Sequence, residues 1–175
     1  MSALALRQAE ESAGAIPGTR VGEAVRMHIA RKVFEDPPTV ALENVHIEAA
    51  PGEFLALVGP SGAGKSTLLG IAAGLDRIYE GEVEYGGDAG RTAFVFQTPR
   101  LMPWLSVLGN VELVLEGGPH ARARAVELLK QVGLGDFVDA FPNRLSGGMQ
   151  RRAALARAFV INPGLLLMDE PFVSL

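Results

Sequence analysis

The stretch Gly59-Pro60-Ser61-Gly62-Ala63-Gly64-Lys65-Ser66-Thr67 constrains the fold of this chain more than any other. It satisfies the pattern G-x-x-x-x-G-K-[ST], with a short apolar run before it (Phe54 to Val58) and helical spacing after it (Lys65 to Gly74). A loop that wraps phosphates must aim successive backbone N–H groups inward. That calls for glycines at left-handed dihedrals and no side chains in the way. A helix beginning near Lys65 adds the positive end of its dipole. Lys65 supplies a point charge for the β- and γ-phosphates, and the Ser66 hydroxyl is placed to ligate Mg²⁺. The expectation is an α/β protein with a nucleotide seated where a buried strand turns into a helix.

The composition, 48% apolar and 21% charged over 175 residues, is that of a folded soluble protein and suits one domain. With no cysteine, the chain excludes disulfide frameworks, thiolate metal sites and cysteine nucleophiles. A net charge of −4 argues against a protein held mainly by nucleic-acid phosphates, so no nucleic acid is expected as a partner. No apolar run approaches the roughly 18 residues a membrane span needs. The start meets Glu10 and Glu11 too early to be a secretory signal.

Residues 1–22, rich in Ala, Glu, Ser and Gly and broken by Pro17-Gly18, read as a poorly ordered leader with room for a short helix. Alternation predicts a strand over Ala24–Phe34 and an antiparallel partner over Ala41–Glu48. The continuous apolar runs Phe54–Val58 and Leu165–Met168 read as strands buried on both faces. Further strands are expected over 82–85 and 92–96. Helices are expected over Lys65–Gly74, Val107–Leu115, Ala121–Val132 and Gly147–Val160, the last stopped by Asn162-Pro163-Gly164.

Asp169 and Glu170 end the second apolar run. Adjacent carboxylates there are costly unless something positive faces them. Beside a phosphate loop that partner is Mg²⁺, held through water by Asp169, while Glu170 accepts a hydrogen bond from the water attacking the γ-phosphate. Without the phosphate loop, the same pair would read equally well as a solvated acidic turn. Ser146 is a natural N-cap, and Gly147 and Gly148 leave the first N–H groups of their helix open to an anion. Composition alone favours a plain capped helix with an Arg-rich solvated face.

Leu145-Ser146-Gly147-Gly148-Met149-Gln150 resembles the LSGGQ signature of the ATP-binding cassette (ABC) family. The order phosphate loop, glutamine after a strand, signature, acidic strand is also that family's order. The resemblance covers residues 25–175. It implies one nucleotide-binding domain over 23–175: a P-loop NTPase core with an N-terminal antiparallel β subdomain and an inserted helical subdomain at about 98–160. It further implies that Ser146, Gly147, Gly148 and Gln150 contact the nucleotide of an opposite subunit, so that two cassettes sandwich two ATP molecules.

Gln97, after the run Ala93–Phe96, falls where the family has its Q-loop glutamine, which is implied to reach Mg²⁺ and the attacking water. Lys65, Gln97 and Glu170 are thus the catalytic candidates; Ser66, Gln97 and Asp169 are the metal candidates. Thr67 is implied to bond the α-phosphate. Phe34 falls where the family stacks an aromatic ring on adenine; as a bare residue it reads equally as a strand-end core aromatic. Around Trp104, the residues Leu101, Met102 and Leu105 either pack the helical subdomain or form a docking surface for a helix of a membrane permease. The stretch Leu-Met-Pro-Trp-Leu resembles the nitrate, sulfonate and taurine importer group.

The implied function is an ATPase subunit, a homodimer at the cytoplasmic face of the cell membrane, energising import of a small anionic solute. Its partners would be permease subunits and, indirectly, a periplasmic or lipid-anchored solute-binding protein. A soluble ABC ATPase of translation or DNA repair, and an inert remnant that binds nucleotide weakly, are the alternatives. His28, His46 and His120 show no metal or catalytic spacing and read as surface or strand residues.

Against the family pattern, the sequence stops at Leu175, before the Asp of a Ser-x-Leu-Asp loop and before a further helix, strand and switch histidine. In the family that strand lies between the phosphate-loop strand and the acidic strand. The expectation is a fragment or truncated product whose two apolar strands lack a shared partner. Weak ATP binding, slow or absent hydrolysis and a tendency to associate would follow.

Overall fold

The computed structural model describes residues 5–8, 24–86 and 91–171, the first of these by backbone alone. The chain divides into two compact units, 1–90 and 91–175.

In the first unit, β2 (Ala24–Glu35) lies between β3 (Pro38–Ala49) and β5 (Glu80–Gly86) in an antiparallel sheet. Val25, Met27 and Ile29 are buried while Arg26 and Ala30 are exposed, the period of two that a one-sided sheet demands. The alternation then changes phase. Against β5 the register shifts between Ile29 and Arg31, leaving Ala30 as a bulge residue, so that Lys32 rather than Arg31 turns inward. Gly81 permits this. Its φ is +136°, and a Cβ there would lie 2.1 Å from the His28 carbonyl oxygen. A second shift, opposite Lys32/Val33, places the extra residue Ala41 on β3.

The strand β4 (Leu55–Val58) leads through the Gly-rich loop into α1 (Lys65–Ala72), which ends on Gly74 at φ +68°. Residues of α1 bury Leu68, Ile71 and Ala72, and the Tyr85 hydroxyl of β5 donates to the Ala72 carbonyl at 2.7 Å. Two expectations are corrected here. The run Phe54–Val58 is not buried on both faces: Phe54 is 74% and Val58 55% exposed, and β4 itself is half-buried. Among the described residues its one strand partner is β1 (Ala5–Gln8), antiparallel, and a strand with one neighbour has an open edge. The leader expected over 1–22 lies mostly outside the described residues. Its described segment is that strand β1, not a helix.

The second unit carries β6 (Thr92–Val95) and β7 (Leu165–Met168), paired in parallel with Thr92 opposite Leu165 and Val95 opposite Met168. Like β4, β7 is only half-buried, with Leu167 alone in the core. Three helices stand between the strands: α2 (Val107–Glu112), α3 (Pro119–Gln131) and α4 (Gly147–Phe159). They pack through Val107, Leu108, Val111, Ala125, Leu129, Ala153, Ala156 and Val160 into one apolar core. On its other side α4 sends Ala158 against Ala93 and Val95 of β6. This joins the helices to the parallel strand pair.

Candidate active site

The phosphate loop is built as its residue types require. Gly62 and Gly64 have φ of +79° and +88°, and Gly64 caps α1 with no side chain of its own. The Lys65 ammonium folds along the loop and donates to the carbonyls of Gly59 at 2.9 Å and Pro60 at 2.8 Å. Its charge is thus held inside the turn, at the amino end of the helix. Ser61 and Ser66 are exposed and Ala63 and Thr67 half-buried. A Cβ on Gly64 would sit 2.6 Å from the Ala41 carbonyl oxygen and 2.7 Å from Leu42 Cδ2, so the loop leans directly on β3 at its bulge.

In the second unit the parallel register that sets Val95 opposite Met168 brings the residues beyond the two strand ends together. The Asp169 N–H donates to the Val95 carbonyl at 2.9 Å, extending the ladder by one step. Gln97 and Glu170 come next, and the Gln97 amide donates to a Glu170 carboxylate oxygen at 2.6 Å. Glu170 is exposed and has φ +48°, a left-handed conformation uncommon for a residue with a side chain. That twist turns the carboxylate off the strand direction. Asp169 stays half-buried behind it.

The segment after Gln97 is pinned from α4. The Arg157 guanidinium forks to the carbonyls of Pro99 and Arg100, both at 2.9 Å, and burial pushes its pKa down from the ordinary value. The Arg100 guanidinium lies 3.8 Å from the Phe96 ring centroid. Arg157 was not legible in the sequence, because a helix with Arg151, Arg152 and Arg157 reads as a solvated face until one of them finds carbonyls to fork.

At the start of α4 the Ser146 hydroxyl accepts from the Met149 N–H at 3.3 Å, the N-cap expected of it. Gly147 and Gly148 have nothing within 4 Å of a would-be Cβ. Packing among the described residues does not require glycine at either position. Gln150 faces the other way: its amide donates to the carbonyls of Pro142 at 2.9 Å and Leu145 at 3.4 Å, holding the turn that precedes the helix.

Trp104 is 70% exposed. The turn beneath it is fixed by Asn110, which is fully buried and bonds the Met102 N–H at 2.7 Å and the carbonyls of Met102, Leu105 and Ser106 at 3.0–3.2 Å. Phe34 is 45% exposed at the end of β2, beside the Lys32 ammonium. His28 and His46 stack at 4.1 Å across β2 and β3, on strands as expected.

A family model described as ABC transporter matches residues 42–173. The aliphatic sulfonates import ATP-binding protein SsuB of Mesorhizobium japonicum is 46% identical over 142 residues, 78% of this chain and 54% of that protein. Its counterpart in Bacillus subtilis is 45% identical over 160 residues, 87% of this chain and 63% of that one. The Streptomyces avermitilis protein of the same name is 47% identical over 168 residues, 96% and 62% respectively. This chain therefore spans 54% to 63% of the length of these relatives. Among solved structures, a dimeric ATP-binding cassette in a post-hydrolysis state with ADP and phosphate superposes with a TM-score of 0.77 at 37% identity. That match covers 86% of this chain and 75% of the other. Strand-to-helix phosphate loop, paired glutamine and glutamate, and capped Gly-Gly helix all fall within the matched span, and the chain belongs to the ABC transporter family.

Proposed function

We propose that this protein is the ATP-hydrolysing subunit of an ABC importer for a small anionic solute, with one nucleotide-binding domain over 23–175 and a helical subdomain at about 98–160. The observation that carries the reading is the hydrogen bond from Gln97 to Glu170 at the ends of two adjacent parallel strands. It places an amide and a carboxylate side by side, the two groups that would orient and polarise an attacking water. Gly59, Pro60, Ser61, Gly62, Ala63 and Gly64 cradle the phosphates with backbone N–H groups. Lys65 takes the β- and γ-phosphates and Thr67 the α-phosphate, while Phe34 stacks on adenine. Ser146, Gly147 and Gly148 approach the nucleotide of a second cassette, and Gln150 shapes the turn that presents them.

The oxygens of Ser66, Asp169 and Gln97 are hard donors of the kind Mg²⁺ takes. When bound, the ion neutralises charge that builds on the transferred phosphoryl group. Trp104 and its turn dock a permease subunit, which keeps the protein at the cytoplasmic face of the membrane; no described helix is long and apolar enough to cross it. A solute-binding protein is reached only through that permease. The relatives' names, aliphatic sulfonates import, support a sulfonate-like solute.

Phosphate release by the purified protein with its permease tests this. Glu170→Gln is expected to lower hydrolysis by about 10²-fold or more, the usual contribution of a positioned base, while ATP still binds. Unchanged turnover in that variant would sink the assignment.

A further inference from the structure

Among the described residues, Lys32 is the one buried charged side chain, 4% exposed. Every direction its ammonium faces is used. It meets Asp76 Oδ2 at 2.7 Å and Oδ1 at 2.9 Å, donates to the Ile78 carbonyl at 2.7 Å, and lies 4.9 Å from the Phe34 ring centroid. Burying an ammonium is expensive, and an apolar residue of similar volume generally stabilises a protein as well or better. The charge is therefore explained by what it positions.

Two routes run from Lys32 to the phosphate loop, one to each end of α1. At the carboxyl end, Asp76 follows the helix, and its N–H donates to the Gly70 carbonyl at 3.2 Å. At the amino end, Gly64 rests on Ala41 and Leu42, and Leu42 is the cross-strand neighbour of Lys32. Phe34 stands two residues further along β2, on the same face as Lys32 by the alternation of the strand. The ring and the phosphate loop are thus held in one frame, with Lys32 at its corner.

We propose that Lys32, held by Asp76, is a positioning residue for the nucleobase: it fixes the Phe34 ring relative to the phosphate loop and so sets the preference for a base-bearing triphosphate over bare polyphosphate. The proposal rests on the reading of Phe34 as the adenine-stacking residue. The test compares affinities of the purified protein for ATP and for inorganic tripolyphosphate, each with Mg²⁺, by titration calorimetry. Phe34→Ala is expected to weaken ATP about tenfold, the scale of one lost base–aromatic stack, and to spare tripolyphosphate. Lys32→Met should weaken ATP by about threefold to tenfold, again sparing tripolyphosphate, and should add nothing in the Phe34→Ala background.

A merely structural lysine would weaken both ligands alike, or act additively with Phe34→Ala, and either result overturns the proposal. If Phe34→Ala leaves the ratio of the two affinities unchanged, the adenine reading fails and the proposal with it. If Phe34→Ala shifts the ratio and Lys32→Met does not, the proposal fails alone. Should Lys32→Met lose the fold, Asp76→Asn, which preserves volume, carries the same test. A ratio unchanged in Asp76→Asn is equally fatal.

Discussion

Gly62 and Gly64 share a backbone conformation, φ +79° and +88°, yet differ in what surrounds them. A methyl group at Gly62 would meet nothing within 4 Å, so Gly62→Ala should cost only the left-handed strain, about 1 kcal/mol. At Gly64 the same group would strike the Ala41 carbonyl and Leu42, and overpacking adds to the strain for a total of about 3 kcal/mol. Thermal melts should separate the two by several degrees, with the lower midpoint belonging to Gly64→Ala. Equal midpoints would mean that the loop does not lean on β3. Asp76 offers a pH test. Burial raises its pKa, but hydrogen bonds from Lys32 and from the Ile78 N–H, with the Lys32 charge, outweigh that and hold it below the ordinary carboxylate value. A depressed folded pKa contributes stability that is present above the unfolded pKa, about 3.9, and is lost as pH falls through the folded value. Chemical denaturation from pH 7 downward should therefore show a loss below pH of about 4 that Asp76→Asn flattens. A variant curve parallel to the wild type would contradict this. Neither Lys32 nor Asp76 stood out in the sequence. A lysine one place out of phase in an alternating strand reads as an outward residue until the bulge at Ala30 is known.

At the scale of elements, the sequence was most legible where a segment's own period decides its state. The run Leu165–Met168 is a strand as read, and α4 ends at Phe159, one residue short of the expected Val160. The helix expected over Val107–Leu115 stops at Glu112, because Leu113 closes it and Gly117 and Gly118 turn the chain at φ +86° and +97°. The helix beyond begins at Pro119, which suits the first helical position, rather than at Ala121. Side-chain partners were legible only as motif positions. That Gln97 would meet Glu170 depends on a parallel register, which no local pattern encodes. Asn110 was missed for the same reason: a polar residue on a short helix looks exposed until three carbonyls and an N–H are found around it. Asn110→Leu should destabilise the second unit by about 3 kcal/mol, since it takes the partner from the Met102 N–H and the Leu105 carbonyl. The Met102 and Ser106 carbonyls keep only their backbone bonds from the Leu105 and Asn110 N–H groups. Hydrogen exchange at the 102–106 amides should accelerate in that variant, and unchanged protection there would contradict the assignment of Asn110 as the clamp.

At the scale of the molecule, burial is the property least readable from a run of apolar residues. Phe54–Val58 and Leu165–Met168 have the composition of interior strands, but how much of a strand is covered depends on its neighbours, and these two are half-covered. Trp104 shows the converse, a large ring left in solvent on a rigid turn. Trp104→Ala should leave the melting midpoint and nucleotide affinity within error, since an exposed side chain contributes within about 0.5 kcal/mol. It should weaken co-purification with the permease by tenfold or more, the scale of an interface anchor. Loss of stability instead would return Trp104 to a packing role. The bulge at Ala30 bears on how such a chain can change over generations. Substitutions along β2 alter one contact each, but a single-codon insertion between Arg31 and Lys32 would add one step of alternation and send both Lys32 and Phe34 to the opposite face. Lineages of this domain should therefore keep the length of β2 fixed between Ile29 and Phe34 while varying more freely in the residues it carries other than Lys32 and Phe34.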